Sequence, residues 1–427
     1  MKVTGIIAEY NPFHNGHAYQ IQKAKEKSHA DYIIVAMSGN YVQRGAPALL
    51  DKFSRTFAAL NNGADFVFEI PSLWASASAE YFAAAGISLF HALGCVDTVS
   101  FGCETTDAAL MTRTARLLSQ EPPEYASFLS EYLKQGFPFP AAREKAVISY
   151  FTRQKKDLSV TDLSALLHEP NNILALEYMK YLIKNNLPIT PLPILRQGCG
   201  YHDTNTGEDF CSATAIRTLC LQPRTEESEQ ECLNQRKLNT IFRYVPKETA
   251  KLLLHPDACF LTENDFSAML YYKLLSEKEK GFAEYADSSL ELSNRICRCL
   301  SDFRDYESFC KLLKSREVTY TRISRLLLHI LLNHRQSDYT RTKEPAYIPY
   351  LRLLGFRKDA APLFTEIKKH AFVPMVSKPA GDVFSLNKTA AALLEQDIFA
   401  SNLYYGTLAQ NSGILQKNEY QRGIVVV

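Results

Sequence analysis

Val3-Thr4-Gly5-Ile6-Ile7-Ala8-Glu9-Tyr10-Asn11-Pro12-Phe13-His14-Asn15-Gly16-His17-Ala18-Tyr19-Gln20 opens the chain, and its reading decides the fold. The first six residues are almost wholly apolar and lack polar alternation, as a strand covered on both faces does. Pro12 then turns the chain, and the spacing from His17 to Ser28 predicts a helix. Strand, proline-bearing turn and helix in immediate succession are the first βα unit of a parallel sheet.

Working outward, similar runs stand at Val3–Ala8, Tyr32–Ala36, Phe66–Ile70 and Val96–Phe101, with helix-like segments at His17–Ser28, Lys52–Asn61 and Ser76–Ala92 between them. Strand starts roughly 30 residues apart match a βα repeat. The fold class expected is therefore α/β, a Rossmann-like, doubly wound sheet with ligands at the carboxyl ends of its strands. Ala108 to about Lys184 reads as a helical insertion broken at Gln135–Pro140, and Leu192–Arg196 as another strand after a proline cluster. The polar stretch Gln222–Glu231 sets an expected boundary near 225. Residues 1–225 then form the Rossmann-like unit. Residues 226–427 form a mostly helical one, with a polar connector at Gln336–Pro345 and a small mixed α/β tail made of Leu351–Gly355, the run to Ser385 and the terminal Gly423–Val427.

The 427 residues, 46% hydrophobic and 22% charged, suit an ordinary globular protein of two or three domains, and the net charge of +2 does not betray a polyanionic partner. The amino-terminal apolar run is too short for a signal peptide. The apolar stretch Leu73–Val96 carries Glu80 and His91, so a buried helix is expected and no membrane span. Ten scattered cysteines without a C-x-x-C pair favour reduced thiols in a cytoplasmic protein. No metal-ligand set is expected, since no third ligand stands at a familiar offset from His14 and His17.

The chemistry lies in His14-Asn15-Gly16-His17. With ten histidines and eighteen glycines in the chain, an H-x-G-H tetrapeptide arises by chance in about one chain in a hundred. This one stands where a ligand belongs, between a strand and a helix. Histidines three apart share one helical face. At a helix amino terminus the unpaired N–H groups and the dipole favour phosphate, and two imidazoles there can donate hydrogen bonds as charge develops. The bland alternative is that two histidines merely cap a helix. A second signature, Ser212-Ala213-Thr214-Ala215-Ile216-Arg217, suits a triphosphate tail. Ser and Thr at a helix start are otherwise simple caps.

Other candidates stay balanced between a functional and a plain reading. Arg44, in Gln43-Arg44-Gly45 after the second strand, either grips an anion or is a solvated loop residue. Lys52 and Arg55 read as exposed, solvated helix charges. Of Asn171 and Asn172, one reads as an N-cap. The window Lys311–Lys343 holds eight Lys or Arg against Glu317 and Asp338. Arg322 and Arg325 share a helical face there, which fits either RNA phosphates or solvent.

These motifs together carry a resemblance. H-x-G-H after the first strand with a late S-x-T-x-I-R is the pattern of the nucleotidyltransferase branch of the HIGH superfamily. The chain resembles the bacterial tRNA(Met) cytidine acetate ligase family over nearly its whole length. The match includes Ile7–Gln20, Ser38–Gly45, Asp51-Lys52-Phe53, Phe101-Gly102-Cys103-Glu104, Pro170–Leu174, Arg196 with Gly200–Asp203, and Tyr320–Arg325. Cys103 departs from the pattern, where Ser or another small residue is more usual, but Gly102 is in place. The resemblance implies that ATP, accompanied by Mg²⁺ and with no tightly bound organic cofactor, contacts Ile7–Gln20, Gly102, Asn171 and Arg196. It implies that His14 and His17 are catalytic and that acetate becomes acetyl-adenylate. The acetyl group then passes to N4 of the wobble cytidine of elongator tRNA(Met). A small-molecule adenylyltransferase is the alternative. It shares the amino-terminal chemistry but does not need the further residues. A non-catalytic RNA-binding scaffold fits poorly with the intact His14, Gly16 and His17. An acetyl-CoA-dependent acetyltransferase lacks its pyrophosphate loop.

Overall fold

The computed structural model describes residues 1–105, 107–154, 159–196, 211–222, 240–343 and 347–427. The expected boundary near 225 and the Gly200–Asp203 segment lie outside them. Among the described residues there are ten strands: β1 (Val3–Ala8), β2 (Tyr32–Ser38), β3 (Tyr41–Val42), β4 (Ala46–Pro47), β5 (Phe66–Ile70), β6 (Thr98–Cys103), β7 (Thr190–Leu195), β8 (Leu351–Phe356), β9 (Met375–Val376) and β10 (Val425–Val426). β5, β2, β1, β6 and β7 lie side by side and all parallel. Counted along the chain this is the doubly wound order 3-2-1-4-5, which reverses between β1 and β6. The four strands expected from sequence are among them.

Every residue of β5, and all but the first of β2, is buried, as parallel strands between two helical layers must be. β7 is the edge. Its Pro191 and Pro193 are tolerated because every second N–H there faces away from β6. The apolar stretch from Leu73 breaks at Ser76 and resumes as the helix Ala79–Leu93, buried along most of its length. That helix sits so close to β1 that a Cβ on Gly86 would come within 2.5 Å of Ile7. No helix is long and apolar enough to cross a membrane among the described residues. Eight described cysteines are free thiols.

The tail does not stand apart. β8 adds antiparallel to β5, and β9 and β10 add parallel to β8, so residues from the last quarter of the chain complete the main sheet. The expected polar connector Gln336–Pro345 is helical over Gln336–Lys343, because Asp338, Tyr339 and Thr342 are buried, Tyr339 against the Trp74 ring. A 25-residue helix, Lys388–Ser412, crosses back over the amino-terminal half and contacts the short helix Ser72–Ala75.

Lys52 and Arg55 are not solvated, as expected from sequence, but fully buried. Lys52 Nζ lies 2.7 Å from Glu69 Oε2 and 2.9 Å from Glu419 Oε1, and donates to Ser401 at 3.1 Å. Arg352 Nη2 also reaches Glu419 Oε1 at 3.0 Å. The network thus ties the second βα unit to the carboxyl tail. Arg55 donates to the carbonyls of Glu9 (2.6 Å), Ser38 (3.1 Å), Leu50 (2.9 Å) and Gly39. It pins the loops after β1 and β2, which form the rim of the site.

Candidate nucleotide-binding cleft

The sheet reverses direction between β1 and β6, and a cleft of about 560 Å³ opens at their carboxyl ends. The loop after β1 contributes Ile7–Asn11, His14, His17 and Gln20, and β6 contributes Phe101 and Gly102. Asn171 comes from the helix Pro170–Lys184, and Arg196 follows β7. Ser212–Thr214 and Arg217 come from the helix Ala213–Leu221 and its cap. A smaller pocket beside it is lined by Gly16, Tyr19 and Gln20 together with Gly102 and Arg196. Residues more than 180 positions apart are thereby brought together. Four members of the loop lie elsewhere. Phe13 is fully buried in the core, Pro12 is buried, Ala18 packs against apolar neighbours, and Asn15 Nδ2 donates to Arg243 O at 2.8 Å.

His14 is the N-cap of the helix Asn15–Ser28, in extended conformation, and not part of the helix as the shared-face reading assumed. Its Nδ1 accepts from Gly16 N–H at 3.0 Å, and His17 Nδ1 accepts from His14 N–H at 3.2 Å. The two side chains form a capping box and stack with ring centroids 3.7 Å apart. Capping and function are thus not alternatives. Because both Nδ1 atoms are acceptors, each neutral ring carries its proton on Nε2. Burial, then Arg196 and Arg217, push the His14 pKa down to about 3. Burial, then His14 and Arg196, hold His17 well below its usual value. Both imidazoles are therefore neutral donors at physiological pH.

The guanidiniums of Arg44, Arg196 and Arg217 and the carboxylates of Glu9 and Glu263 are the charged groups lining the cleft among the described residues. Arg196 lies across the end of β6. A Cβ on Gly102 would stand 3.3 Å from Arg196 Cγ. Arg217 Nη1 donates to Asn11 O at 2.7 Å, and Nη2 donates to Thr214 Oγ1 at 3.0 Å. Ser212 spends its hydroxyl as an N-cap on Ala215 N–H. The second signature therefore both braces the first and presents an arginine beside it.

Neither Asn171 nor Asn172 is an N-cap. Glu169 holds that position, and both asparagines sit in the first turn facing Glu104. Asn171 Nδ2 donates to Glu104 Oε1 at 2.5 Å, Asn172 Oδ1 accepts from Glu104 N–H at 2.9 Å, and Arg196 Nε lies 3.9 Å from Glu104 Oε1. Glu104 thus aims two cleft residues. Sequence reasoning gave it no role, although its place directly after a strand was a usable signal. Arg55 was read as solvated and is buried, and Glu263, which carries no local motif, was not singled out.

Arg322 and Arg325 do come together, but around the Asp287 turn and not in the cleft lining. Arg325 Nε pairs with Asp287 Oδ2 at 2.7 Å, and Arg322 Nε donates to Asp287 O at 3.3 Å. Their helix, Tyr320–Leu332, reaches the cleft through Tyr320 and Thr321. Gly45, at φ +81°, packs on that helix so tightly that a Cβ would lie 2.5 Å from Arg325 N. Ser324 Oγ donates to Gly45 O at 3.0 Å. The Arg44 hairpin is thereby clamped to the carboxyl-terminal half.

Buried neutral histidines make stability depend on pH. His14 titrates near 3 when folded and about 6.5 when unfolded. Between those values only the unfolded chain binds the proton, so the stability present above pH 6.5 is lost as pH falls. Each pH unit in that window costs about 1.4 kcal/mol per fully neutral histidine. The urea midpoint is expected to fall from pH 7.5 to 5, and less so in His14→Asn. An identical pH dependence in the two proteins would contradict the neutral, buried state of His14.

Sheet order, an imidazole pair at a helix start and arginines on the facing walls define a nucleotidyltransferase, and the chain belongs to the HIGH Nucleotidyl Transferase family, whose model matches residues 1–420. Within that class it groups with the tRNA(Met) cytidine acetate ligases. It is 35% identical to the protein of that name from Clostridium perfringens over 407 residues, 95% of each chain. It is 34% identical to the one from Halothermothrix orenii over 416 residues, 95% of this chain and 94% of that one. Two crystal structures of Thermotoga maritima TmcAL superpose over the full length of both chains. The apo form gives a TM-score of 0.89 at 28% identity, and the form bound with alpha-thio ATP gives 0.87 at 27%.

Proposed function

We propose that this chain is a tRNA(Met) cytidine acetate ligase, working in the cytoplasm on ATP, acetate and elongator tRNA(Met). One observation carries the reading: two neutral Nε2–H donors at a helix start share a cleft with Arg196 and Arg217. Such a cleft suits in-line attack at an α-phosphate. An acetate oxygen bonds to the α-phosphorus, the bond to the bridging oxygen breaks, and pyrophosphate leaves. His14 and His17 hydrogen-bond the α-phosphate as charge develops, and the helix amino terminus adds its dipole. Arg196 and Arg217 neutralise the departing phosphates. Asn171 and Gly102 place the nucleoside against the Ile7–Gln20 loop. Mg²⁺ enters with ATP, held by phosphate oxygens and water. Among the described residues no three His, Cys, Asp or Glu form a ligand set of their own.

In the second step the exocyclic N4 of the wobble cytidine attacks the acetyl carbon and AMP leaves, giving N4-acetylcytidine. We assign activation to residues 1–225 and tRNA docking to residues 226–427, whose strands nevertheless complete the sheet. Arg322, held by a long bond, exchanges it for an RNA phosphate, while ion-paired Arg325 holds the helix to the Asp287 turn. The test is ATP–pyrophosphate exchange, with and without tRNA. Exchange that depends on acetate supports the proposal. Exchange that ignores acetate and responds to a phosphorylated metabolite would instead mark a small-molecule adenylyltransferase.

A further inference from the structure

Acetyl transfer to a cytidine amine must dispose of a proton, and the two histidines assigned to adenylation cannot take it. Both histidine Nδ1 atoms already accept backbone N–H groups, and both Nε2 atoms carry hydrogens. Glu9 Oε1 accepts from Gln43 N–H at 2.9 Å, which fixes it to the hairpin. Glu104 is not part of the lining and is engaged by Asn171 and Asn172.

Glu263 is differently placed. It lines the cleft beside Leu261, Thr262, Tyr320 and Thr321, on the wall supplied by the carboxyl-terminal half. Its turn is rigid: Thr262 Oγ1 and N–H both donate to Asp265 Oδ2, at 2.9 and 2.6 Å, in a capping box. Among the described residues no side chain forms a hydrogen bond or ion pair with its carboxylate, and Arg217 and Glu307 act on it through charge alone. A half-buried, rigidly mounted carboxylate facing an open cleft has acceptor capacity to spare for a ligand.

Resting on the ligase reading above, we infer that Glu263 receives the acceptor base: its carboxylate accepts a hydrogen bond from the cytidine N4 amine and then takes the N4 proton. As the N4–C bond forms, one N–H bond breaks toward Glu263, and the C–O electron pair leaves with AMP. The same contact selects the base. Cytosine N4–H₂ donates to a carboxylate, whereas uracil presents an O4 acceptor that Glu263 repels.

Burial raises the Glu263 pKa above the usual carboxylate range, which strengthens it as a base. Glu307 and Asp265 add to the rise, and Arg217 and its own N–H oppose it. Tyr306 and Cys310 on the helix Tyr306–Leu313 and Tyr320 on the next helix also face it. Burial pushes all three pKa values up, so all three stay neutral near pH 7. Single-turnover transfer should therefore rise with pH through the Glu263 pKa and then level off.

The experiment compares wild type with Glu263→Gln, full-length, measuring acetate-dependent pyrophosphate exchange and single-turnover acetyl transfer to saturating tRNA. The ratio of transfer to exchange is expected to fall about a hundredfold in the variant, with loss of the acidic limb of the transfer profile and partial recovery in Glu263→Asp. An unchanged ratio would overturn the inference. So would a variant that needs more tRNA but reaches the wild-type rate at saturation, which is the mark of a binding contact only. Wild-type protein lacking both activities would instead remove the ligase reading, and this inference with it.

Discussion

His17→Ala is expected to lower the rate of acetate-dependent adenylate formation by about two to three orders of magnitude, with ATP affinity changed only several-fold. His17 Nδ1 is committed to the His14 N–H, so Nε2–H is its free donor, and stacking on His14 fixes where it points. A donor held there costs no reorganisation when negative charge grows on the α-phosphate, so its contribution falls mostly on the transition state. Because both imidazoles stay neutral well below pH 6, the adenylation rate should show no histidine limb between pH 6 and 8. Pre-steady-state adenylate formation and ATP titration together check this. Weakened ATP binding with an unchanged rate would show that His17 serves ground-state binding alone.

Lys52→Met is expected to destabilise the protein by about 3–5 kcal/mol, because it strands two buried carboxylates. Glu69 and Glu419 both lie within 3 Å of Lys52 Nζ. Burial, with Glu419 adding to it, holds Glu69 above the usual carboxylate range. Burial opposes the charge on Glu419, but Lys52 and Arg352 outweigh it and hold its pKa low. Without Lys52, Arg352 is left to balance the pair among the described residues. The double variant Lys52→Met/Glu69→Gln should lose less than the sum of its single changes, since removing both partners leaves less uncompensated charge. Denaturant unfolding measures both. A loss below about 1 kcal/mol in the single variant would mean that the network is not coupled to folding.

The same residues show where sequence reasoning stops. The parallel strands were legible because burial on both faces leaves an unbroken apolar run, as in Ile33–Met37. The nucleotide loop was legible because strand, turn and H-x-G-H are contiguous. Lys52 was misread because its partners lie 17 and 367 positions away, and a lysine one residue past an N-cap looks solvated when only its neighbours are known. β8 was legible only as part of a mixed α/β tail, and its antiparallel seat beside β5 depends on which edge of the sheet is open. The helix Lys388–Ser412 is weakly marked, since Asp397 and Ser401 are buried among its apolar positions. Of the cleft, the His14/His17 side and Arg217 could be read locally. The Glu263 wall comes from tertiary contacts alone, and Glu104 carries only its position after a strand as a local signal.

The central claim is that acetate activated here ends on a tRNA base. Incubating the protein with ATP, labelled acetate and bulk tRNA, then digesting the tRNA to nucleosides, tests it directly. The account expects label in N4-acetylcytidine from elongator tRNA(Met) only, with one AMP and one pyrophosphate released per acetyl group. Label confined to a small-molecule product, or tRNA that stays unlabelled while AMP accumulates, would contradict it.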